Sequence, residues 1–143
     1  MNSTETAKKL FEEGYNCSQA VLAAFGERFG LEREMALRVA SGFGGGMRRG
    51  ETCGAVTGAL MVLGLRIYDL SKGAKSAKKG PYSAVEDFAR RFIERNGSVS
   101  CKELLGCDIS IPEDLKKAEE EKLFTTLCPK LVEEAAEILE EML

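Results

Sequence analysis

Apolar residues recur along the chain at helical spacing. Ala7, Leu10, Phe11 and Tyr15 make one stripe, and Cys17, Ala20, Val21, Ala24, Phe25 and Phe29 make a second, which Gly30 stops. Leu31, Met35, Val39 and Phe43 follow at i+4 spacing and run into a glycine cluster between Gly42 and Gly46. Residues 52–67 form a largely apolar helix, and its Gly54/Gly58 and Ala55/Ala59 pairs offer a face that a neighbouring backbone can approach closely. Val85, Phe88, Ala89 and Phe92 mark another helix, with Ser83 and Glu86 at capping-box spacing. The last helix lines up Leu131, Val132, Ala135, Ala136, Leu139 and Met142 on one face, with glutamates elsewhere. Nowhere do β-branched residues alternate with polar ones. The pattern predicts an all-α fold, a single-domain bundle of about six or seven helices over residues 1–143, with no internal repeat or linker. Lys72, Lys75, Lys78 and Lys79 lie among glycine, serine and alanine, so residues 69–80 are expected to be a flexible solvated loop.

Composition narrows the chemistry. A chain of 143 residues with 44% hydrophobic residues can build one ordinary core. Its formal charge of −3 gives no basic excess of the kind nucleic-acid binding requires, so no nucleic-acid partner is expected. The start, Met1 to Thr6, has neither a basic cluster nor an apolar run, so no signal peptide is expected. The longest apolar-and-small stretch, Cys53 to Leu65, is 13 residues, against about 18 for a membrane span. It is therefore expected to be a buried helix, in a chain that does not span a membrane. A cytoplasmic, reducing location is the expectation, where cysteines act as buried side chains, metal ligands or redox groups. There is no histidine. That removes Ser-His-Asp triads, Cys-His pairs and imidazole metal ligands, and leaves thiols as the groups reactive near neutral pH.

The five cysteines are Cys17, Cys53, Cys101, Cys107 and Cys128, and no two are spaced Cys-x-x-Cys. Any cysteine site must therefore be assembled from distant segments. Asn16 and Gln19 form a capping pattern that puts Cys17 at the first helical position, and Ser100 and Glu103 do the same for Cys101. Pro129 makes Cys128 the expected N-cap of the final helix, and Cys53 follows Thr52 at the start of the apolar one. Unpaired N–H groups and the positive end of the helix dipole stabilise a thiolate at such positions. Cys107, after the helix-stopping Gly106, falls in a loop.

Three uses of these residues stay open. Cys17, Cys53, Cys101 and Cys128 could ligate a metal, with an iron–sulfur cluster preferred over zinc and one-electron transfer as the activity. Alternatively, Cys53 could serve as the reactive thiol of a dithiol/disulfide protein, an oxidoreductase or electron carrier with a redox partner. The third use is structural: buried, inert cysteines in a helical binding protein without cofactor. Gly45-Gly46-Met47-Arg48-Arg49-Gly50 has P-loop glycine spacing, but Glu51 stands at the lysine position and no strand precedes it. Its expected role is more modest. The glycines let the chain pass close to Cys53, while Arg48, Arg49 and Gly54 supply positive potential and space for an anionic group. The small-residue helix also leaves room for a homodimer.

The blocks Gly14-Tyr15-Asn16-Cys17-Ser18-Gln19-Ala20, Cys53-Gly54-Ala55-Val56-Thr57-Gly58, Ser98-Val99-Ser100-Cys101-Lys102-Glu103-Leu104-Leu105-Gly106 and Cys128-Pro129-Lys130-Leu131-Val132 occur in that order. In them the chain resembles the redox-active four-cysteine proteins abbreviated C_GCAxxG_C_C. The resemblance covers nearly the whole chain. It implies redox activity, a functional link to a transporter, and Cys17, Cys53, Cys101 and Cys128 as the family cysteines, with Cys107 an addition. Cap positions and family blocks single out the same four residues.

Overall fold

A computed structural model describes all of residues 1–143. It is all-helical: α1 Ser3–Glu12, α2 Cys17–Gly26, α3 Arg33–Val39, α4 Gly54–Ile67, α5 Gly73–Ala77, α6 Lys79–Asn96, α7 Cys101–Leu105, α8 Pro112–Glu120, α9 Leu123–Thr126 and α10 Cys128–Met142. The count of ten exceeds six or seven because three of them, α5, α7 and α9, are single-turn helices of five, five and four residues. Paired extended backbone is confined to one isolated antiparallel bridge, Thr52 to Ser100. No single helix is long and apolar enough to cross a membrane.

At the centre, α2 packs along α4, with α1, α3, α6 and α10 closing around the pair. Gly54 and Gly58 create this crossing. A Cβ on Gly58 would stand 2.7 Å from the Ser18 carbonyl oxygen and 3.1 Å from Val21 Cβ, so the partner admitted by the small-residue face is α2 of the same chain. Ser18 and Thr57 share a hydrogen bond inside this contact, at 3.2 Å. Gly58→Ala should therefore push the two helices apart and lower unfolding stability by about 1–3 kcal/mol, despite alanine's better helix propensity. Chemical denaturation would measure it, and a variant as stable as the parent would show that the crossing yields easily.

The hydrophobic residues form two clusters. The main core holds Phe25, Phe88, Phe92, Leu22, Leu63 and Ile138, with the Phe88 and Phe92 rings stacked at 6.1 Å. A smaller satellite core under α7, α8 and α9 is built from Cys101, Leu105, Ile109 and Ala118. The two meet along a seam where Leu127 packs on both. Glutamates of α10 bind cations on other helices: Glu134 and Glu137 pair with Arg95 of α6 at 2.8 Å each, and Glu133 with Lys8 of α1 at 3.2 Å.

Three local expectations are corrected. Residues 69–80 are not a loop but a 3₁₀ turn, α5 and the start of α6, since lysine, alanine and serine accept a helix once Ala77 is buried. Helix α6 accordingly begins at Lys79, and Ser83 and Glu86 lie in its interior and cap nothing. In α3 the i+4 stripe faces outward: Met35 and Val39 are exposed, and Ala36 and Ala40 take the core position. Small residues let α3 lie close against α2, whereas the longer side chains would have held it off.

Candidate functional site: four cysteines across a seam between two cores

Every family cysteine sits at a helix start. Cys17 and Cys101 are the first residues of α2 and α7, Cys53 is the N-cap of α4, and Cys128 opens α10 with Leu127 as its cap. Cys128 is therefore one position further in than the cap expected, because α9 runs through Leu127 almost directly into α10. Cys17 and Cys53 belong to the main core, whereas Cys101, Cys128 and the loop residue Cys107 belong to the satellite core. The seam thus runs between two pairs of family cysteines.

The two pairs are joined by backbone. Around the Thr52–Ser100 bridge, Cys53 N–H donates to the Val99 carbonyl at 2.7 Å and Cys101 N–H to the Glu51 carbonyl at 2.5 Å. This clamp aligns the entry to α4 with the entry to α7, with Cys53 opposite Val99 and Cys101 opposite Glu51, so the two cysteines lie diagonally across the bridge. Cys17 reaches Cys53 through the α2–α4 crossing. Gly54, directly after Cys53, would bring a Cβ to 2.6 Å from Cys17 Sγ, so only glycine lets the Cys17 sulfur settle there.

Asn16 fixes Cys17 from the other side. Its Oδ1 accepts from Gln19 N–H at 2.8 Å, Gln19 Oε1 accepts from Asn16 N–H at 2.9 Å, and Asn16 Nδ2 donates to the Ser41 carbonyl at 3.1 Å. Gln19 Nε2 donates to the Leu37 carbonyl at 2.8 Å. One capping box therefore holds both the start of α2 and the chain leading into the glycine segment. That segment then makes a left-handed turn, with φ of 63° at Gly45, 62° at Gly46, 59° at Met47 and 60° at Arg48. The left-handed region costs about 1–2 kcal/mol at each of the two non-glycine residues. The turn aims the Gly45 N–H at Cys17 Sγ.

Cys17 is the acidic member of the set, lowered from an ordinary value of 9.0 to about 7. The Cys53 thiol donating to it is the largest cause, offset by burial and reinforced by N–H groups of Gly45, Cys17 and Ser18. Cys53 moves up, because its proton is the one shared with Cys17 and because burial and the Cys17 charge oppose a second thiolate. Cys101 rises to about 11 and Cys128 to about 12, both through burial first and then the Cys17 charge. Burial and Asp114 raise Cys107. Near neutral pH Cys17 is thus the one cysteine of the set that is substantially ionised, about half of it as thiolate at pH 7.

A cleft of about 340 Å³ opens along the seam. Cys101 and Cys128 line it, Leu105, Ile109 and Phe124 give it an apolar wall, and Asn16, Gly44, Gly45 and Arg48 form the side next to Cys17. Arg48 points its guanidinium past Gly45, with Nη1 at 3.8 Å from where a Gly45 Cβ would stand, and no carboxylate pairs with it or with Arg49. Arg49 is exposed and does not line the cleft. Of the residues expected to surround an anionic group, Gly54 contacts Cys17 and Arg48 faces the cleft. The glycine segment approaches Cys17 and Asn16, and it was the Asn-Cys step and the run Gly44-Gly45-Gly46 that carried the signal for this contact.

No group of three or more cysteine, aspartate or glutamate side chains is arranged to hold a metal ion. The arrangement divides instead into a close Cys17–Cys53 pair and two thiols on the cleft wall, all five cysteines being reduced. A neighbouring pair in which one thiol is acidified can attack a disulfide and then close on itself.

No curated protein and no solved structure matches the chain. Residues 15–142 match the model of a family described as "Putative redox-active protein (C_GCAxxG_C_C)", a match that takes in all four helix-start cysteines. The chain belongs to that redox-active family.

Proposed function

We propose that this protein is a dithiol/disulfide oxidoreductase in which Cys17 is the attacking thiolate and Cys53 the resolving thiol. The observation that carries the proposal is the approach of Cys17 to the start of α4: a Cβ on Gly54, the residue after Cys53, would stand 2.6 Å from Cys17 Sγ, and there the Cys53 thiol and three backbone N–H groups draw the Cys17 thiol down. Sequence pointed to Cys53 as the reactive thiol and placed Cys17 only among the four helix-start cysteines, so this reading moves the nucleophile from Cys53 to Cys17. Cys17 takes the nucleophile's role because Gly45 adds a donor from outside its own helix, whereas the donors reaching Cys53, at Ala55 and Val56, both come from α4.

The chemistry balances with a disulfide as oxidant. Cys17 Sγ attacks one sulfur of the substrate, a new S–S bond forms, and the substrate's other sulfur leaves as a thiolate. Losing the negative charge on Cys17 removes one of the forces that keep Cys53 protonated. Cys53 then gives its proton to the departing thiolate and attacks Cys17 Sγ, forming the Cys17–Cys53 disulfide and expelling the second substrate sulfur as thiolate. Two electrons pass from the protein dithiol to the substrate, and a reductant of the thiol class restores the pair.

Alkylation with iodoacetamide across pH, mapped by mass spectrometry, tests the reading. Cys17 reactivity should rise with a midpoint near pH 7 and fall away below it, since protonation removes the nucleophile. Cys101 and Cys128 should remain unreactive through pH 9. If all five thiols titrate near about 8.5, no activated nucleophile exists and the proposal fails. Brown protein from anaerobic purification, with four cysteines protected, would favour the four-thiolate centre instead.

A further inference from the structure

We infer that the seam cleft is a binding site for a small disulfide or thiol that carries a carboxylate, with Arg48 receiving the carboxylate and the cysteine end receiving the sulfur. Three independent features converge there. The first is space: about 340 Å³ lies at the lower end of the volumes that small-molecule sites occupy, enough for a small compound and too little for a folded partner. The second is the division of its wall, since Leu105, Ile109 and Phe124 offer an apolar surface and Cys101 and Cys128 offer sulfur. The third is Arg48, a guanidinium without a carboxylate partner, held toward the cleft by a left-handed backbone that costs stability. A planar guanidinium with free donors is matched to a carboxylate, which it can grip through two parallel hydrogen bonds.

The inference rests on the proposed dithiol chemistry for the identity of the attacking sulfur. With the carboxylate on Arg48, the substrate's S–S bond lies toward Asn16 and Gly45, which border the cleft, and Cys17 follows directly behind Asn16 at the start of α2. Cys17 forms the new S–S bond, the substrate's bond breaks, and the leaving sulfur departs as a thiolate protonated by Cys53. Arg48 touches the substrate away from the reacting atoms and acts as a specificity residue.

Two aromatic disulfides of similar size separate charge from reactivity: dithiobis(nitrobenzoate), a carboxylate on each ring, and dithiodipyridine, neutral. Rates are read from the coloured thiol released, with the full-length reduced protein. Arg48→Gln should slow the anionic probe about tenfold and leave the neutral probe unchanged, which also shows that the variant is folded. Arg49→Gln, which removes the same charge outside the cleft, should change neither rate by more than about twofold. Equal slowing by the two variants would show general electrostatic attraction and overturn the inference, as would equal loss for both probes. Repeating the comparison in Cys17→Ser separates the two claims. An Arg48-dependent preference persisting at Cys101 or Cys128 would keep the cleft and sink the dithiol assignment. A Cys17–Cys53 disulfide forming with no charge preference would do the reverse.

Discussion

Replacing Cys17 with serine should remove the fast phase of small-disulfide reduction at pH 7, a phase about a hundredfold faster than reaction at Cys101. With a pKa of about 7, half of Cys17 is thiolate at that pH, whereas Cys101, at about 11, ionises in roughly one molecule in ten thousand. The more basic thiolate is intrinsically the better nucleophile, and over four units that recovers roughly a factor of a hundred. The balance still favours Cys17 by about a hundredfold. Cys53→Ser should behave differently. Its hydroxyl can still donate to Cys17, so the first attack survives, but the resolving sulfur is gone and the mixed disulfide on Cys17 should accumulate. Stopped-flow release of the leaving thiol, with mass analysis of the protein product, distinguishes the two. Matching kinetics for both variants would mean that the two sulfurs do not divide the work this way.

Gly46→Ala should produce the largest combined loss of stability and reactivity among backbone changes. Gly46 has a φ of +62°, and a Cβ there would collide with the Glu51 backbone nitrogen and come within 2.8 Å of its carbonyl oxygen. Neither neighbour is a flexible side chain that could swing away. The left-handed conformation and the collision together should cost about 2–5 kcal/mol, unless the turn opens. Opening releases the hydrogen bond that Glu51 N–H donates to the Gly46 carbonyl, 3.1 Å long, and with it the position of Gly45. Cys17 then loses its donor from outside α2. The alkylation midpoint of Cys17 should rise from near 7 toward the ordinary thiol value, and thermal unfolding should move down by several degrees. A stable Gly46→Ala protein with Cys17 still titrating near 7 would show that the glycine turn does not support the thiolate.

What the residues declared in advance was local. The Asn16/Gln19 capping box forms with both of its hydrogen bonds, and it puts Cys17 at the first turn of α2 as its spacing predicts. Ser100 caps α7 through a longer contact, 3.5 Å to Glu103 N–H. Side-chain caps are read from four consecutive residues, so such starts are visible in sequence. Ser83 and Glu86 show where the same logic stops: their spacing is right, but Lys79 to Tyr82 are free to extend the helix, so no end exists there to cap. Met35 and Val39 show the same for periodicity, which marks a face without saying whether a bulky or a small face meets the core.

The pairing of sulfurs was not legible. Cys17 and Cys53 are brought together by an interhelical crossing that depends on Gly54 and Gly58. The small-residue face announced a close approach but did not name α2 as the element approaching. The split of four equivalent-looking cysteines into a pair with one acidified thiol and two wall thiols raised by burial depends on burial and on the bridge between Thr52 and Ser100. Neither is local in sequence. Left-handed φ at Met47 and Arg48 was likewise hidden, because only the glycines before them advertise such a turn.

The most direct test of the central claim is to map disulfides after oxidising the reduced protein with one equivalent of a small disulfide at pH 7. Peptide mass spectrometry should find Cys17 linked to Cys53, with Cys101, Cys107 and Cys128 still free to react with a thiol label after unfolding. A linkage that leaves out Cys17 or Cys53, or an oxidised protein whose thiols remain all unlinked, would contradict the assignment of this pair as the redox couple.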